Sequence, residues 1–221
     1  MPSILFDRQA YVTHLYKGLP DKSKVQTSKR VERIEHTETG ARVFIADGNV
    51  EEGDVVIGAD GVHSATRELM WDYALEHDPF SIPDSDKTAM FSQFSGLFDV
   101  STQEPYMKLG PGDSHVVYGY DVTKLLFTQP GKAYWAIIFK DEYSRPAKQW
   151  KPTDEEVDAV AKRYGDVNLT ENVRFKDLWK AKTRQGLLSF EEGVLSKWHA
   201  GRIVLMGDSA HSKRLRCTNC M

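Results

Sequence analysis

The sequence predicts an α/β protein in which a parallel-sheet domain is interrupted by an antiparallel insert. Two apolar runs, Asp54-Val-Val-Ile-Gly58 and Ile203-Val-Leu-Met206, each lead into a short turn built from glycine and aspartate. Strands of that kind deliver a carboxylate to the carboxyl edge of a sheet. Between them, from about Ile82, Pro83, Pro105, Gly110-Pro-Gly112 and Pro130-Gly131 punctuate a series of strand-like runs, the spacing of an antiparallel sheet.

Taken in order, Asp7 to Leu19 places Tyr11, Val12, Leu15 and Leu19 at helical spacing, with Arg8 in the first turn and Pro20 at the end. An amphipathic helix is expected. Lys24–Thr27, Arg30–His36 and Ala41–Ala46 read as short strands, and Asp47-Gly48 makes a hairpin turn into Asn49-Val-Glu51. The continuous apolar character of Asp54–Gly58 predicts a strand buried on both faces, followed by a helix that starts at Ser64. Within the insert, Ala89–Val100, His115–Tyr120, Leu125–Thr128 and Tyr134–Lys140 read as strands. Thr153-Asp-Glu-Glu156 is a capping box, since the hydroxyl and the carboxylate can serve each other's orphan amides. Val157, Val160, Ala161 and Tyr164 then line one helical face, and Asp177–Lys182 reads as a second short helix.

Composition narrows the function classes. The 221 residues are 40% hydrophobic and 28% charged, ordinary globular values. A formal net charge of -3 with no basic stripe argues against nucleic acid as a partner. Both cysteines, Cys217 and Cys220, lie in the last five residues, so nothing in the body can be stapled, which fits a reducing, cytoplasmic compartment. No apolar stretch approaches the roughly 20 residues that span a bilayer. The start, Met-Pro-Ser-Ile-Leu-Phe-Asp, lacks the basic region of a secretory signal. Cys217-Thr-Asn-Cys220 is a lone pair where structural zinc takes four ligands, so no metal site is expected.

Chemistry concentrates in the two turns. Gly58 and Gly61 allow close backbone approach, Asp60 lies between them, and Arg67 follows one helical turn beyond His63-Ser64. Such a turn offers amides, a carboxylate and a guanidinium around one point, suited to pyrophosphate or ribose recognition. The residues alone leave open a plain strand–turn–helix junction in which Asp60 caps the turn and Arg67 is solvated.

Asp54 to Arg67 resembles the second flavin fingerprint of the group A flavoprotein monooxygenases, the p-hydroxybenzoate hydroxylase-like family. Gly201 to His211 resembles their third, Gly-Asp fingerprint. Arg67-Glu-Leu-Met-Trp71, Tyr120 ahead of Pro130-Gly-Lys132, and Trp198 ahead of Gly201-Arg202 are similar to the fungal indole-diterpene and meroterpenoid enzymes of that family. The resemblance implies a partial FAD-binding Rossmann-like domain over residues 1–80, an antiparallel-sheet substrate domain over 81–190, a return to the FAD-binding domain over 191–211, and an unrelated tail over 212–221.

It also implies site residues. Arg8 matches an FAD-binding arginine, Asp208 the acceptor for the ribityl chain of FAD, and Gly207 the residue that lets the backbone approach that chain. Asp60 and Gly61 match the pair near the FAD pyrophosphate that is implicated in nicotinamide-nucleotide use. Tyr120 matches a substrate-domain active-site tyrosine, though a half-buried strand aromatic beside Tyr118 is an equal reading. His211 belongs to the fingerprint turn as a structural residue. The implied activity is oxygenation, by hydroxylation or epoxidation, of a small hydrophobic secondary-metabolite-like substrate. FAD would carry the hard step, with NAD(P)H and O2 as co-substrates, while the protein positions the substrate and excludes water.

The chain departs from the pattern at both ends. No Gly-x-Gly-x-x-Gly occurs, so the unit that cradles the ADP half of FAD is expected before Met1. The Pro/Gly-rich loop that follows the histidine in the family is replaced by Ser212-Lys-Arg-Leu-Arg216 and the Cys-x-x-Cys. A mispredicted intron boundary, a frameshift or a truncated gene is therefore expected, and strands next to the absent unit should expose apolar faces. Two other readings stay open, an inactive remnant that binds no FAD and a flavin-dependent reductase of the same fold. Full-length relatives with hydrophobic C-terminal segments keep membrane association open for them.

Overall fold

A computed structural model describes residues 7–147 and 150–212. The expectations that fall on the first six residues and on the tail from Lys213, the cysteine pair included, lie outside the described residues.

A helix, α1 (Arg8–Gly18), opens the described chain, with Asp7 as its N-cap accepting hydrogen bonds from the amides of Gln9 and Ala10. The helix forms as expected, but none of its residues is buried among the described residues, so its apolar stripe is exposed. Lys24, expected to begin a strand, instead ends a short 3-10 turn, Lys22–Lys24, capped by Asp21, whose carboxylate takes the Ser23 amide. That local bond competes with strand formation.

The meander follows as β1 (Val31–His36), β2 (Ala41–Ile45) and β3 (Val50–Gly53), paired antiparallel in that order. Its last hairpin turns at Gly48, where φ is +88°.

Next comes β4 (Val56–Gly58), then α2 (Ala65–His77) and a single helical turn, α3 (Asp84–Lys87). The insert is β5 (Phe91–Thr102), β6 (Ser114–Tyr118), β7 (Val122–Gln129), β8 (Lys132–Ser144), α4 (Asp154–Tyr164), α5 (Phe175–Lys180) and β9 (Gly186–Val194). The chain closes on β10 (His199–Ala200), β11 (Ile203–Leu205) and β12 (His211–Ser212). The capping box at Thr153 and Glu156 forms as its residues dictate.

Two sheets organise the molecule beyond the meander. The larger has the order β12-β9-β5-β8-β7-β6, with the β9-β5-β8-β7-β6 ladders antiparallel. One of its faces, carrying Leu97, Leu126, Trp135 and Ile137, packs against Val157 and Ala161 of α4 and Phe175 and Leu178 of α5. Trp135 is 2% exposed. It meets Phe175 edge-on at 4.9 Å between ring centroids and donates its indole N–H to Ser101. β9 runs through position 190 without a break, so the large sheet continues past the point where a return to the first region was expected.

The smaller sheet has the order β10-β11-β4, and its β11–β4 pair is parallel, aligning Val204 with Ile57 and Leu205 with Gly58. α2 covers one side, setting Met70 and Ala74 against Ile203 and Leu205. The other side is uncovered among the described residues: Ile57 is 61% exposed and Val204 40%. The expectation of a strand buried on both faces is thus corrected. An apolar run fixes that a strand forms, but burial depends on what packs against it. No helix among the described residues is long and apolar enough to cross a membrane.

Candidate flavin site

The parallel pairing of β4 with β11 places both glycine/aspartate turns at one sheet edge. Gly58 and Leu205 are partners at the end of that ladder, and the chain runs from them directly into Asp60 on one side and Asp208 on the other. The two turns are also bonded to each other. Gly58 accepts at its carbonyl from the amide of Met206 at 2.9 Å and from the hydroxyl of Ser209 at 2.5 Å. Ser209 in turn takes the Met206 amide at 3.0 Å, closing the second turn upon itself.

Arg67 completes the tie. It is only 8% exposed, and its guanidinium donates to the carbonyls of Ser209 at 3.1 Å and Val62 at 2.8 Å. The solvated reading of Arg67 is therefore set aside. A buried guanidinium with two main-chain acceptors couples the first turn to the second across 142 positions of sequence. Gly58 makes the close packing possible, because a Cβ there would sit 2.8 Å from the Thr66 methyl and 3.0 Å from Leu205.

The two aspartates differ. Both oxygens of Asp60 are engaged at the N-terminus of α2, one by the Ser64 hydroxyl and the other by the Thr66 amide at 2.9 Å. Burial works to raise its pKa, and the bonds from Ser64 and Thr66 overcome that and hold the carboxyl below the ordinary value. Asp60 thus caps its own turn. Asp208 is exposed, and among the described residues no donor engages its carboxylate. It follows Gly207, whose φ of +63° few side chains tolerate and whose missing Cβ would meet nothing within 4 Å. An accessible acceptor beside bare backbone is suited to a hydroxyl-rich chain laid across the turn.

A second link fastens this edge to the large sheet. His63, in the first turn, pairs with Glu191 of β9 at 3.1 Å. Burial raises the Glu191 pKa, and the charges of His63 and Arg67 work against that rise. Asp86 of α3 holds the segment before β10, accepting from the amides of Ser196 and Lys197. Sequence reading passed over Ser64, Ser209, Glu191 and Asp86 as site-building residues. Only Ser64 carried a signal, as a helix N-cap.

The remaining candidates lie elsewhere. Arg8 lines an open cleft of about 590 Å³ with Val12, Val100, Tyr134 and Arg184, and neither Asp60 nor Asp208 is among its lining residues. Tyr120 occupies the tip of the β6–β7 hairpin and is 84% exposed. Its neighbour Gly119 closes the turn by donating to Val122. His211 begins β12 and stacks on Trp198 at 5.3 Å, the packing of a structural residue. Among the described residues no cluster of three or more His, Cys, Asp or Glu side chains is placed to hold a metal.

A profile of the family described as "FAD binding domain" matches residues 19–214. The chain is 36% identical over 213 residues to the FAD-dependent monooxygenase andE of Emericella variicolor, an alignment that takes in 95% of this chain and 45% of the relative. It is 32% identical over 212 residues to the FAD-dependent monooxygenase paxM of Penicillium paxilli, covering 95% and 44%. Among solved structures, Klebsiella pneumoniae HpxO complexed with FAD and uric acid superposes with a TM-score of 0.66 at 21% identity, over 93% of this chain and 48% of that one. The chain thus spans less than half the length of these curated relatives.

Proposed function

The chain belongs to the FAD binding domain family, and from that premise we propose that it forms part of an FAD-dependent monooxygenase. The enzyme would use NAD(P)H and O2 to hydroxylate or epoxidise a hydrophobic compound of secondary metabolism. One observation carries the reading: the parallel β4–β11 pair sets the two fingerprint turns side by side, and Arg67 binds one to the other.

Roles follow from the geometry. Asp208 would accept a hydrogen bond from a hydroxyl of the ribityl chain, with Gly207 keeping the backbone bare beneath it. Gly61, at a φ of +88°, would shape the first turn for the pyrophosphate and the nicotinamide nucleotide. Asp60 would act there through the turn it caps rather than by direct contact, since both its oxygens are already engaged. Arg8 is assigned to the same cofactor by the family resemblance alone, since the cleft it lines is a separate one. Tyr120 is kept as the substrate-side candidate, the one whose exposed hairpin position supports it least. When bound, FAD supplies the redox chemistry, and the protein's part is to bind, orient and exclude water.

We assign residues 1–80 and 191–211 to the FAD-binding domain and 81–190 to the substrate domain, with β9 as the strand shared at the second boundary. The absence of cysteine from the folded body supports an intracellular location.

The test is a titration of FAD into the protein that carries this chain, followed by quenching of flavin fluorescence. Saturable binding that weakens about tenfold in Asp208→Ala is expected, the loss of one charge-assisted hydrogen bond. NADPH-dependent O2 consumption should accompany it. A protein that leaves FAD fluorescence unchanged at saturating concentration would refute the assignment.

A further inference from the structure

The face of the large sheet turned away from α4 and α5 carries a second open cleft, of about 450 Å³, next to the one that holds Arg8. Strand register decides its lining. Phe98 pairs with Ala136 and with Gly186, Leu125 with Ala136, and Phe127 and Val100 each with Tyr134, so these side chains share one face.

The floor is flat because two glycines leave room for the rings beside them. A Cβ at Gly186 would fall 2.9 Å from the Phe98 ring, and one at Gly96 would fall 2.5 Å from the ring of Phe190. Two phenyl rings therefore lie down on the backbone of the neighbouring strand, where any larger residue would lift them.

Arg184 stands where the two clefts meet and lines both. Its guanidinium donates to Oδ2 of Asp7 at 3.2 Å, while Oδ1 of Asp7 serves the amides that begin α1. Asp99, the acidic residue of this cleft, alternates with Leu97 and Ser101 on the packed side of β5. It accepts from the Val100 amide; burial raises its pKa against the opposing charges of Arg184 and Lys182, and among the described residues the ion pair of Arg184 is with Asp7, not Asp99. Among the described residues the Arg184 guanidinium therefore has one side-chain acceptor, and Asp7 can release it without giving up the helix cap.

We propose that Arg184 is a specificity determinant of this cleft. It would leave Asp7 for an anionic or strongly polarised oxygen at one end of a flat apolar ligand whose body lies on Phe98, Leu125 and Phe127. Calling that ligand the oxygenated substrate rests on the flavoenzyme reading above; the recognition itself does not.

Two fluorescent probes with the same body separate the terms: 8-anilino-1-naphthalenesulfonate, which carries one anionic group, and its uncharged parent N-phenyl-1-naphthylamine. Arg184→Gln should weaken the sulfonate about tenfold and leave the parent unchanged. Asp7→Asn, which keeps a capping oxygen and removes the competing charge, should tighten the sulfonate severalfold. Phe98→Ala should weaken both probes alike. Ile57→Asp and Val204→Asp, on the exposed face of the small sheet, should alter neither.

A sulfonate-to-parent affinity ratio that neither Arg184→Gln nor Asp7→Asn changes would overturn the proposal, as would loss of probe binding in the two small-sheet variants alone. An FAD titration on the same samples keeps the two readings apart. FAD binding with an unresponsive probe ratio refutes the cleft alone, whereas a responsive ratio without FAD binding refutes the flavoenzyme alone.

Discussion

The two sheets of this molecule are held by different physics. The large sheet closes its inner face with Trp135, Phe175, Leu126 and Leu178, and the contribution there is apolar burial and ring packing. The small sheet is a short parallel pair with one face uncovered, and its shape is kept by side chains bonded to main chain: Asp60, Ser64, Arg67 and Ser209. A floor for an apolar ligand needs rigidity over a broad area, which a packed core supplies. A cofactor turn needs backbone groups bared at fixed positions, and bulky side chains would cover them. The sheet that carries the fingerprints is accordingly the one with less apolar support.

Substitutions can break that contrast, and the largest effect belongs to the packed side. Trp135→Ala should cost about 3–5 kcal/mol in denaturant unfolding, from the cavity left and the Ser101 hydroxyl deprived of its donor. A loss below 1 kcal/mol would mean that the core is not what holds the large sheet. Arg67→Met is the polar counterpart, removing the charge-assisted bonds to Ser209 and Val62 at about 2–3 kcal/mol, together with FAD affinity. If stability fell while FAD binding survived, the two turns would not need to be joined.

Gly58→Ala sits between these in kind, since its Cβ would meet Thr66 and Leu205. About 1–3 kcal/mol is expected from the forced separation of α2 and β11. The acid limb of the stability profile gives a smaller signal. The Asp60 pKa is lowered in the folded state, so its stabilisation is complete above the ordinary carboxylate value near about pH 4 and is lost as pH falls through the folded value. Asp60→Asn should flatten the profile below about pH 4; an unaltered limb would show that Asp60 does not hold the turn. Smallest of all, Asp208→Ala should leave unfolding within about 0.5 kcal/mol of the parent, as for an exposed side chain outside any network. Its effect should appear in FAD affinity alone.

Local features were legible where a short stretch of chain settles its own conformation. The capping box at Thr153, the start of α2 at Ser64 and the turn at Gly48 each involve partners within a few residues. The four strand-like runs of the insert were likewise readable from alternation and punctuation. Misreadings arose where the outcome rests on a distant partner. Residues 24–27 have strand composition, yet Asp21 draws the first of them into a local turn. At α1 the expected helix forms, and what local reading missed is only that its Tyr11, Val12 and Leu15 stripe is unburied among the described residues.

The chain by itself determined the two glycine/aspartate turns, the residues able to begin and end helices, and the family those features mark. Tertiary structure alone decided that the turns lie side by side, that Asp60 is consumed by α2 while Asp208 stays open, and that Arg184 meets Asp7 beside the Phe98 floor. The physical reason is range. Hydrogen bonds within a turn are closed by neighbours in sequence. A guanidinium buried 142 positions from its acceptor, by contrast, is placed only after the strands between them have paired.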